Sequence, residues 1–536
     1  MADAGKCKVN QWWLSSVYLS IWTGNGALAH RRLSLAKFSR AFSTHNEVAV
    51  DSLAEALQPK FGVAVGPERA VSQTWLDTFD WRLHGAGISL EYADDGPLTA
   101  QLPDGVRLQC PRPERGWPAR ADDLPAGLLR DALAPIVALR ALLPVVTVKR
   151  VTRESRVLNR DDKTVARLVI ENGDDGTSRV LVLPLRGYDA AGDWIARQLP
   201  RVDGLTPLTM TPYDDALAHA RRKPSDYDTS PTVPLRPEMP AAVAIARVLQ
   251  HLAHVIADNV EGTIAAIDTE FLHDLRVAVR RTRSILKLTG DALPGDIAAR
   301  YASDFKWLGD LTTPVRDLDV YLLGLDDMAA GLASADPSDL DPFRSFLVRH
   351  RAVEHRRLVS GLRSRRFKQL MDGWRMALEL AAAGADGGPA VASLARQRVQ
   401  RAFRRVARLG ELITADSPSE EVHALRKRCK ELRYLLEVFR PMYAEGPHRS
   451  LLKELKALQD TLGDFQDGEV QREAVREFAA AMMEQGSAPP KTVLAMGESA
   501  AQLDAHQLRA RAALAGRLQP LVGETTHGRV KALVAS

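Results

Sequence analysis

A histidine-headed motif occurs twice in this chain, 150 residues apart, and this duplication constrains the fold of the C-terminal half. The first copy is His273–Leu288, with the sequence HDLRVAVRRTRSILKL, and the second is His423–Val438, with the sequence HALRKRCKELRYLLEV. Downstream, the segments WLGDLTTPVRDLDV and ALQDTLGDFQDGEV keep the same offset. Two motifs that share one spacing indicate an internal duplication.

Each copy carries basic residues three, seven and ten positions after its histidine. At 100° per residue these positions fall within about 80° of one another on one face of a helix. An apolar stripe lies beside them in both copies, so the sequence predicts two amphipathic helices, each with a buried side and a column of cations. The two columns consist of Arg276, Arg280 and Arg283, and of Arg426, Lys430 and Arg433.

The charge of the chain is segregated rather than large. The 72 basic side chains are nearly balanced by 67 acidic ones, which leaves a net charge of +5. Between Phe343 and Lys368, however, nine Lys or Arg residues accompany a single acid, Glu354. A solvated helix face is one interpretation of such a run. Together with the duplicated columns, we interpret it as favouring a polyanionic partner.

The remaining composition points to the cytoplasm. Cys7, Cys110 and Cys429 are too few and too scattered for a disulfide framework or a metal site, which suits a reducing compartment. Residues 1–45 loosely imitate a signal peptide, but serines interrupt the apolar stretch, and we expect a disordered or wrongly assigned start. The sequence predicts no membrane span.

The rest of the chain divides by composition. Residues 46–205 read mainly as strands separated by turn residues, residues 206–240 as a proline-rich linker, and residues 241–525 as helices. Within the helical part the repeats cover about 241–380 and 391–525. We therefore predict an α+β multidomain protein with an N-terminal antiparallel sheet and an all-α C-terminal domain.

The helical part resembles the CHAD family, the "conserved histidine alpha-helical domain". The specific segments are DTEFLHDLRVAVRRTRS, VRDLDV and EEVHALRKRCKELRYLLE, and the resemblance covers roughly residues 240–525. It implies two pseudo-symmetric helical bundles with a basic surface that binds inorganic polyphosphate.

The strand-rich part resembles the CYTH or triphosphate-tunnel family, an antiparallel barrel often fused to CHAD, through WLDTFDWRLHGAGISLEY (Trp75–Tyr92). It departs from that family where chemistry is carried. The metal-holding Glu-x-Glu-x-Lys of the first strand is reduced to Glu47, and Ser89-Leu90-Glu91 stands where an Arg-x-Arg pair is found. Arg150, unevenly spaced from other arginines, is interpreted as a surface residue. We expect a degenerate barrel without triphosphatase activity.

Phosphate presents only acceptor oxygens, which the planar fork of arginine and the mobile ammonium of lysine both match. The candidate polyphosphate-binding residues are His273, Arg276, Arg280, Arg281, Arg283, Lys287, Lys306, His423, Arg426, Lys427, Lys430, Arg433 and Lys456. Asp317 and Asp467 are expected to pair with the arginines and fix their rotamers. We predict no catalytic residues, no metal site and no cofactor.

The sequence thus favours a polyphosphate-binding scaffold or granule protein of the cytoplasm. Two alternatives remain open at this point. A metal-dependent phosphohydrolase acting on triphosphate or polyphosphate would need convergent carboxylates. A nucleic-acid-binding protein would share the backbone electrostatics and compete with polyphosphate, but it would call for exposed aromatic residues among the cations.

Overall fold

The structure, a computed structural model, describes residues 40–94, 96–174, 176–202, 204–208, 210–230, 233–383, 387–414 and 416–535. The chain divides into two compact units, one ending at Asp228 and the other beginning at Thr229. The first unit is built on an antiparallel sheet and the second is helical, which confirms the predicted α+β multidomain class.

Among the described residues of the first unit, ten strands form one sheet, and every pairing is antiparallel. The strands are β1 Ala41–Thr44, β2 Gly62–Ala64, β3 Glu68–Thr78, β4 Ser89–Ala93, β5 Leu98–Gln101, β6 Arg107–Cys110, β7 Leu142–Leu158, β8 Thr164–Gly173, β9 Ser178–Pro184 and β10 Thr206–Pro207. Their order in the sheet is β10-β1-β9-β8-β7-β3-β4-β5-β6, with β2 paired to β7.

Five helices accompany the described strands of this unit: α1 Val50–Leu57, α2 Arg82–Gly85, α3 Leu128–Val137, α4 Asp189–Gln198 and α5 Pro212–His219. Helices α1 and α4 bury Leu53, Leu57 and Ile195 in one apolar cluster with residues of β7, β8 and β9. Helix α3 packs Leu129 and Leu133 into a second cluster with residues of β4 and β5. The sheet is therefore covered by short helices that each bury one apolar stripe.

Three expectations for this unit are corrected at its ends. Residues 41–44, expected in a disordered start, form β1 and pair with β9 and β10; residues 1–39 of that expectation lie outside the described residues. Residues 206–219, expected in the linker, contain β10 and α5. Helix α5 forms because the Thr211 side chain caps it and Pro212 occupies its first turn, where proline is tolerated. Glu47, expected on the first strand, lies between β1 and α1.

The second unit consists of ten helices among the described residues. They are α6 Ala241–Ile264, α7 Thr269–Thr289, α8 Ile297–Ala330, α9 Asp341–Leu362, α10 Arg365–Ala383, α11 Val391–Leu412, α12 Ser419–Val438, α13 Glu445–Glu484, α14 Pro490–Val522 and α15 Glu524–Ala535. Helices α6, α7 and α8 begin close to 150 residues before α11, α12 and α13, so the helix order follows the sequence duplication.

The two repeats start against each other in a symmetric bridge. Pro240 pairs with Ala390 in an isolated antiparallel bridge. The Ala241 amide donates to the Pro389 carbonyl at 2.9 Å, and the Val391 amide donates to the Met239 carbonyl at 2.8 Å. The two bonds are equivalent, because Ala241 and Met239 of the first repeat correspond to Val391 and Pro389 of the second. Two such reciprocal bonds define a local pseudo-two-fold axis between the repeats.

One described helix, α6, has the length and mean hydropathy of a membrane span, and 56% of its apolar window is buried inside the unit. Its inward residues include Ile245, Leu249, Leu252 and Ile256, each fully buried or nearly so. Helix α6 packs on α7 and α10, which gives its apolar composition a role in the core.

Candidate functional site

Helix α7 is held in place by its cap and by its apolar stripe. The carboxylate of Asp268 accepts hydrogen bonds from the amides of Glu270 and Phe271 at 2.9 and 3.2 Å, as expected for an N-cap. The predicted stripe is buried throughout: Leu272, Leu275, Val279 and Leu286 all point into the core. Burial of this stripe turns the cation column away from the core.

Arg276 is the anchored member of the first column. Its Nη1 donates to the Gly309 carbonyl at 3.3 Å and to the Thr313 hydroxyl, both on α8. Partial burial lowers the pKa of Arg276, and Asp317 opposes that shift without forming an ion pair within 4 Å. In place of the expected ion pair with Asp317, a backbone carbonyl and a hydroxyl accept from the Arg276 guanidinium.

Arg280 and Arg283 are the exposed members of the first column. Among the described residues neither has an ion-pair partner. Arg283 lies over the glycine of α8: a Cβ at Gly309 would come 2.9 Å from Nη1 of Arg283. The absence of a side chain at Gly309 therefore lets the first column lie close to α8.

The second column, on α12, is more strongly paired. Arg426 donates to Oε1 of Gln466 at 2.7 Å and to Oδ1 of Asp467 at 3.3 Å, so the predicted pairing with Asp467 is present. Arg433 pairs with Glu437 at 3.2 Å. The stripe beside this column, Val422, Leu425, Cys429, Leu432 and Leu436, is buried as predicted.

Lys430 connects the two columns electrostatically. Burial lowers its pKa to about 8, and the guanidinium groups of Arg426 on its own helix and of Arg280 on α7 add to the shift. The two helices that carry the columns are in contact, since α7 packs on α12. We call Arg276, Arg280, Arg283, Arg426, Lys430 and Arg433 the paired-column surface.

The other predicted residues divide into paired and unpaired groups. Arg281 pairs with Glu437 at 3.3 Å and Lys287 with Glu431 at 2.7 Å, so both face the contact between α7 and α12. Lys306 forms an exposed ion pair with Asp310 on its own helix. Lys427 and Lys456 are exposed and have no ion-pair partner among the described residues, whereas His273 and His423 are half-buried.

Several residues at the site were not predicted from the sequence. Thr313 orients Arg276, and Gln466 orients Arg426. These two residues are 153 positions apart rather than 150, so they do not align between the repeats, and neither side chain is charged. Glu431 and Glu437, which pair across the two helices, lie inside the quoted second motif. Their signal is the reversal of charge against Arg281 and Lys287 at the equivalent repeat positions.

The sheet unit carries its own row of charged side chains. Glu91 accepts from Gln73 at 2.9 Å and lies 3.6 Å from Arg107, and burial raises the pKa of its carboxyl. Arg179, 1% exposed, pairs with Asp215 at 2.8 Å. Arg150 is buried rather than on the surface, because its strand is central in the sheet. In the described part of the chain no group of three or more His, Cys, Asp or Glu side chains converges as metal ligands would.

Fold and site together define a class: a duplicated helical domain with a histidine-headed basic surface. Residues 246–476 match the family model of the CHAD domain, so this chain contains a CHAD domain in its helical unit. An uncharacterized protein of Mycobacterium tuberculosis is 27% identical over 226 residues, which are 39% of this chain and 40% of that protein. The match thus spans about two fifths of the length of this curated relative.

Two solved structures resemble parts of this chain, both with TM-scores below 0.5. The CHAD domain from the plant Ricinus communis is 26% identical, covering 54% of this chain and 94% of that chain, with a TM-score of 0.47. A candidate adenylate cyclase from Vibrio parahaemolyticus is 11% identical, covering 34% of this chain and 99% of that chain, with a TM-score of 0.21. The CHAD assignment therefore rests on the family match, and the CYTH resemblance continues to rest on the sequence and on the antiparallel sheet.

Proposed function

We propose that the helical unit binds inorganic polyphosphate along the paired-column surface. The observation that supports this most directly is the contact between the two helices that carry the columns: Arg281 of α7 pairs with Glu437 of α12 at 3.3 Å, and Lys287 pairs with Glu431 at 2.7 Å. A cluster of cations on one surface has a high free energy without an anion, and a phosphate chain relieves that repulsion.

The dimensions of the surface also suit a linear polyanion. From His273 to Lys287 a helix rises about 21 Å at 1.5 Å per residue, which is long enough to follow several successive phosphates. Arg280 and Arg283 are exposed and without a described ion-pair partner, so they are ready to donate to phosphate oxygens. Arg281 and Lys287 are engaged with glutamates, and we assign them to the helix contact rather than to the ligand.

The second candidate, nucleic acid, shares the electrostatics but finds little support in the aromatic residues Phe305 and Trp307 of α8. Phe305 is fully buried, and the indole of Trp307 is covered by the Arg366 guanidinium 4.4 Å from its ring. A phosphohydrolase is the weaker alternative, because Asp310 and Asp467 are each paired with a cation, and in the described residues no three or more His, Cys, Asp or Glu side chains converge as metal ligands would. We therefore propose binding without hydrolysis, as a scaffold or granule-associated protein of the cytoplasm.

The test is a titration of the purified protein with polyphosphate of defined length, beside single-stranded DNA of equal charge at one salt concentration. Polyphosphate is expected to bind more tightly and to displace the DNA. Release of phosphate during the titration would favour the hydrolase, and preferential DNA binding would favour the nucleic-acid alternative. The matched control is Lys491→Ala, which removes an exposed cation from α14, outside the basic run and the two columns, and should leave both affinities unchanged.

A further inference from the structure

The two repeats carry opposite charges where α7 meets α12. Positions 281 and 287 of the first repeat correspond to positions 431 and 437 of the second. The first repeat has Arg281 and Lys287 there, and the second has Glu431 and Glu437. Within the motif only these two positions reverse the sign of their charge between the repeats, and both lie at the contact.

The reversed charges meet each other across the pseudo-two-fold axis. Arg281 lies 3.3 Å from Glu437, and Lys287 lies 2.7 Å from Glu431. The earlier residue of one helix pairs with the later residue of the other, so the helices run in opposite senses where they cross. The two ion pairs are therefore related by the same local symmetry as the bridge between Pro240 and Ala390.

Each glutamate also binds a cation of its own helix. Glu431 accepts from Arg428 at 2.8 Å, and Glu437 lies 3.2 Å from Arg433. The side chain of Glu431 is 11% exposed; burial raises the pKa of its carboxyl, but hydrogen bonds from Lys287 and Arg428 outweigh this and hold it below its usual value. Each carboxylate thus ties a cation of one repeat to a cation of the other.

The arrangement selects the pairing of unlike repeats. If two first repeats met in this geometry, Arg281 of one would face Lys287 of the other, and two second repeats would oppose glutamates. Like charges in a partly buried contact cost stability, whereas the observed pairing makes both contacts attractive. The reversal therefore specifies which surface α7 takes as its neighbour.

We propose that Glu431 and Glu437 are positioning residues of the polyphosphate site, which hold α7 against α12 and so set the spacing of the two cation columns. This proposal rests on the proposed function. Its physical basis is that a chain bridging both columns gains from their fixed separation, whereas a short chain bound to one column does not.

The direction in which polyphosphate affinity changes distinguishes a positioning role of the two glutamates from a purely electrostatic one. Removing two carboxylates from a basic surface strengthens its attraction for a polyanion at every chain length if charge alone matters. If the carboxylates position the columns, their removal weakens the binding of long chains despite the gain in positive charge. The two accounts therefore predict opposite changes for the same variant.

The experiment measures the affinities of the full-length protein for a short and a long polyphosphate, together with its melting temperature, in the Glu431→Gln/Glu437→Gln variant. We expect the ratio of long-chain to short-chain affinity to fall roughly tenfold or more. The control, Asp310→Asn, removes an exposed carboxylate that pairs within its own repeat, and it should leave that ratio unchanged. An unchanged ratio, or tighter binding of both ligands in the double variant, would overturn the proposal.

A charge-exchanged variant completes the test. Arg281→Glu and Lys287→Glu combined with Glu431→Lys and Glu437→Arg keep the net charge and restore both attractions between the helices, although they place cations beside Arg428 and Arg433. Recovery of the length ratio above that of the double glutamine variant supports positioning. If the double glutamine variant does not fold, the single Glu431→Gln variant applies the same criterion, since Lys287 is 64% exposed. Failure of the proposed polyphosphate site would be recognised by a different result: the Arg280→Ala/Arg426→Ala variant would bind polyphosphate with unchanged affinity.

Discussion

At the scale of single residues, the members of the paired-column surface differ in what else they hold. Arg276 bonds to the backbone and a hydroxyl of α8 and is partly buried, whereas Arg283 is exposed above Gly309. Removing the Arg276 side chain leaves the Gly309 carbonyl and Thr313 without that donor, a loss that reaches the fold as well as the ligand. Removing Arg283 affects the ligand alone.

We therefore predict that Arg283→Ala weakens polyphosphate binding by about 1–3 kcal/mol, the scale of a charge-assisted hydrogen bond, with an unchanged melting temperature. Arg276→Ala is expected to lower both quantities. Titration calorimetry and thermal unfolding on the two variants check this. A melting temperature that falls for Arg283→Ala while affinity stays constant would assign this arginine a structural role instead.

Lys430 predicts a pH dependence of binding. Its pKa is about 8 in the free protein, and a bound polyanion favours the ammonium form. Affinity should therefore be highest below pH 8 and decline as pH rises through about 8, whereas Lys430→Arg, which stays charged, should bind with a flat profile from about pH 7 to 9. Parallel pH profiles for the two proteins would contradict this assignment.

The same shift links Lys430 to stability with a defined sign. Its pKa in the folded protein lies below the ordinary value of 10.5, so the unfolded chain binds more protons between about pH 8 and 10. Its contribution to the free energy of unfolding consequently rises with pH across that window.

At the scale of elements, α7 and α12 are equivalent helices with different starts. Asp268 caps α7 through two backbone amides, whereas α12 begins after Pro418, which offers no side-chain acceptor. The fixed start of α7 places Arg276 and Arg280 relative to α8. The sequence motif predicts the cation column, and the Asp268 cap fixes the residue at which helix α7 begins.

Substitution of Asp268 tests this cap. We predict that Asp268→Ala lowers the free energy of unfolding by about 0.5–2 kcal/mol, since two buried amides lose their acceptor. Asp268→Asn keeps an acceptor and should retain most of the stability. Chemical denaturation of both variants provides the measurement, and equal losses in the two would show that charge rather than capping is at work.

Many of the helices and strands were predictable from the sequence, because they depend on the periodicity of apolar residues. The long strands β7, β8 and β9 and the apolar stripes of α7 and α12 follow from local patterns. The pairing of Arg426 with Asp467, 41 residues apart, was expected on electrostatic grounds instead. The acceptors of Arg276 were not predictable, because a backbone carbonyl and a threonine hydroxyl have no distinctive sequence signal. Helix α5 was missed because nearby prolines outweighed the cap formed by Thr211 and Pro212.

At the scale of the whole molecule, the chain consists of two units joined within a proline-rich stretch. The division falls between Asp228 and Thr229. On the side of the helical unit, Leu235 and Met239 are buried and the Met239 carbonyl accepts from Val391. The start of the first repeat is thereby fastened to the start of the second.

We predict that limited proteolysis cuts between Pro224 and Pro240 and releases a stable, almost wholly helical C-terminal fragment. The reason is that each unit has its own buried core, whereas the described residues of the stretch 224–239 form no helix or strand, and Ser225, Asp226 and Asp228 are exposed. Mass spectrometry and far-ultraviolet circular dichroism of the products check the prediction. A C-terminal fragment that unfolds on release would show that the units depend on one another.

The central claim, that one surface formed by both repeats binds polyphosphate, is tested most directly by removing a cation from each column. Affinity for long polyphosphate and melting temperature are measured together for Arg280→Ala, Arg426→Ala and the double variant, beside Lys491→Ala as the control. Each single substitution should weaken binding, and the double variant should lose long-chain binding far more than short-chain binding, with folding retained. A double variant that binds long polyphosphate as tightly as the unsubstituted protein would contradict the account.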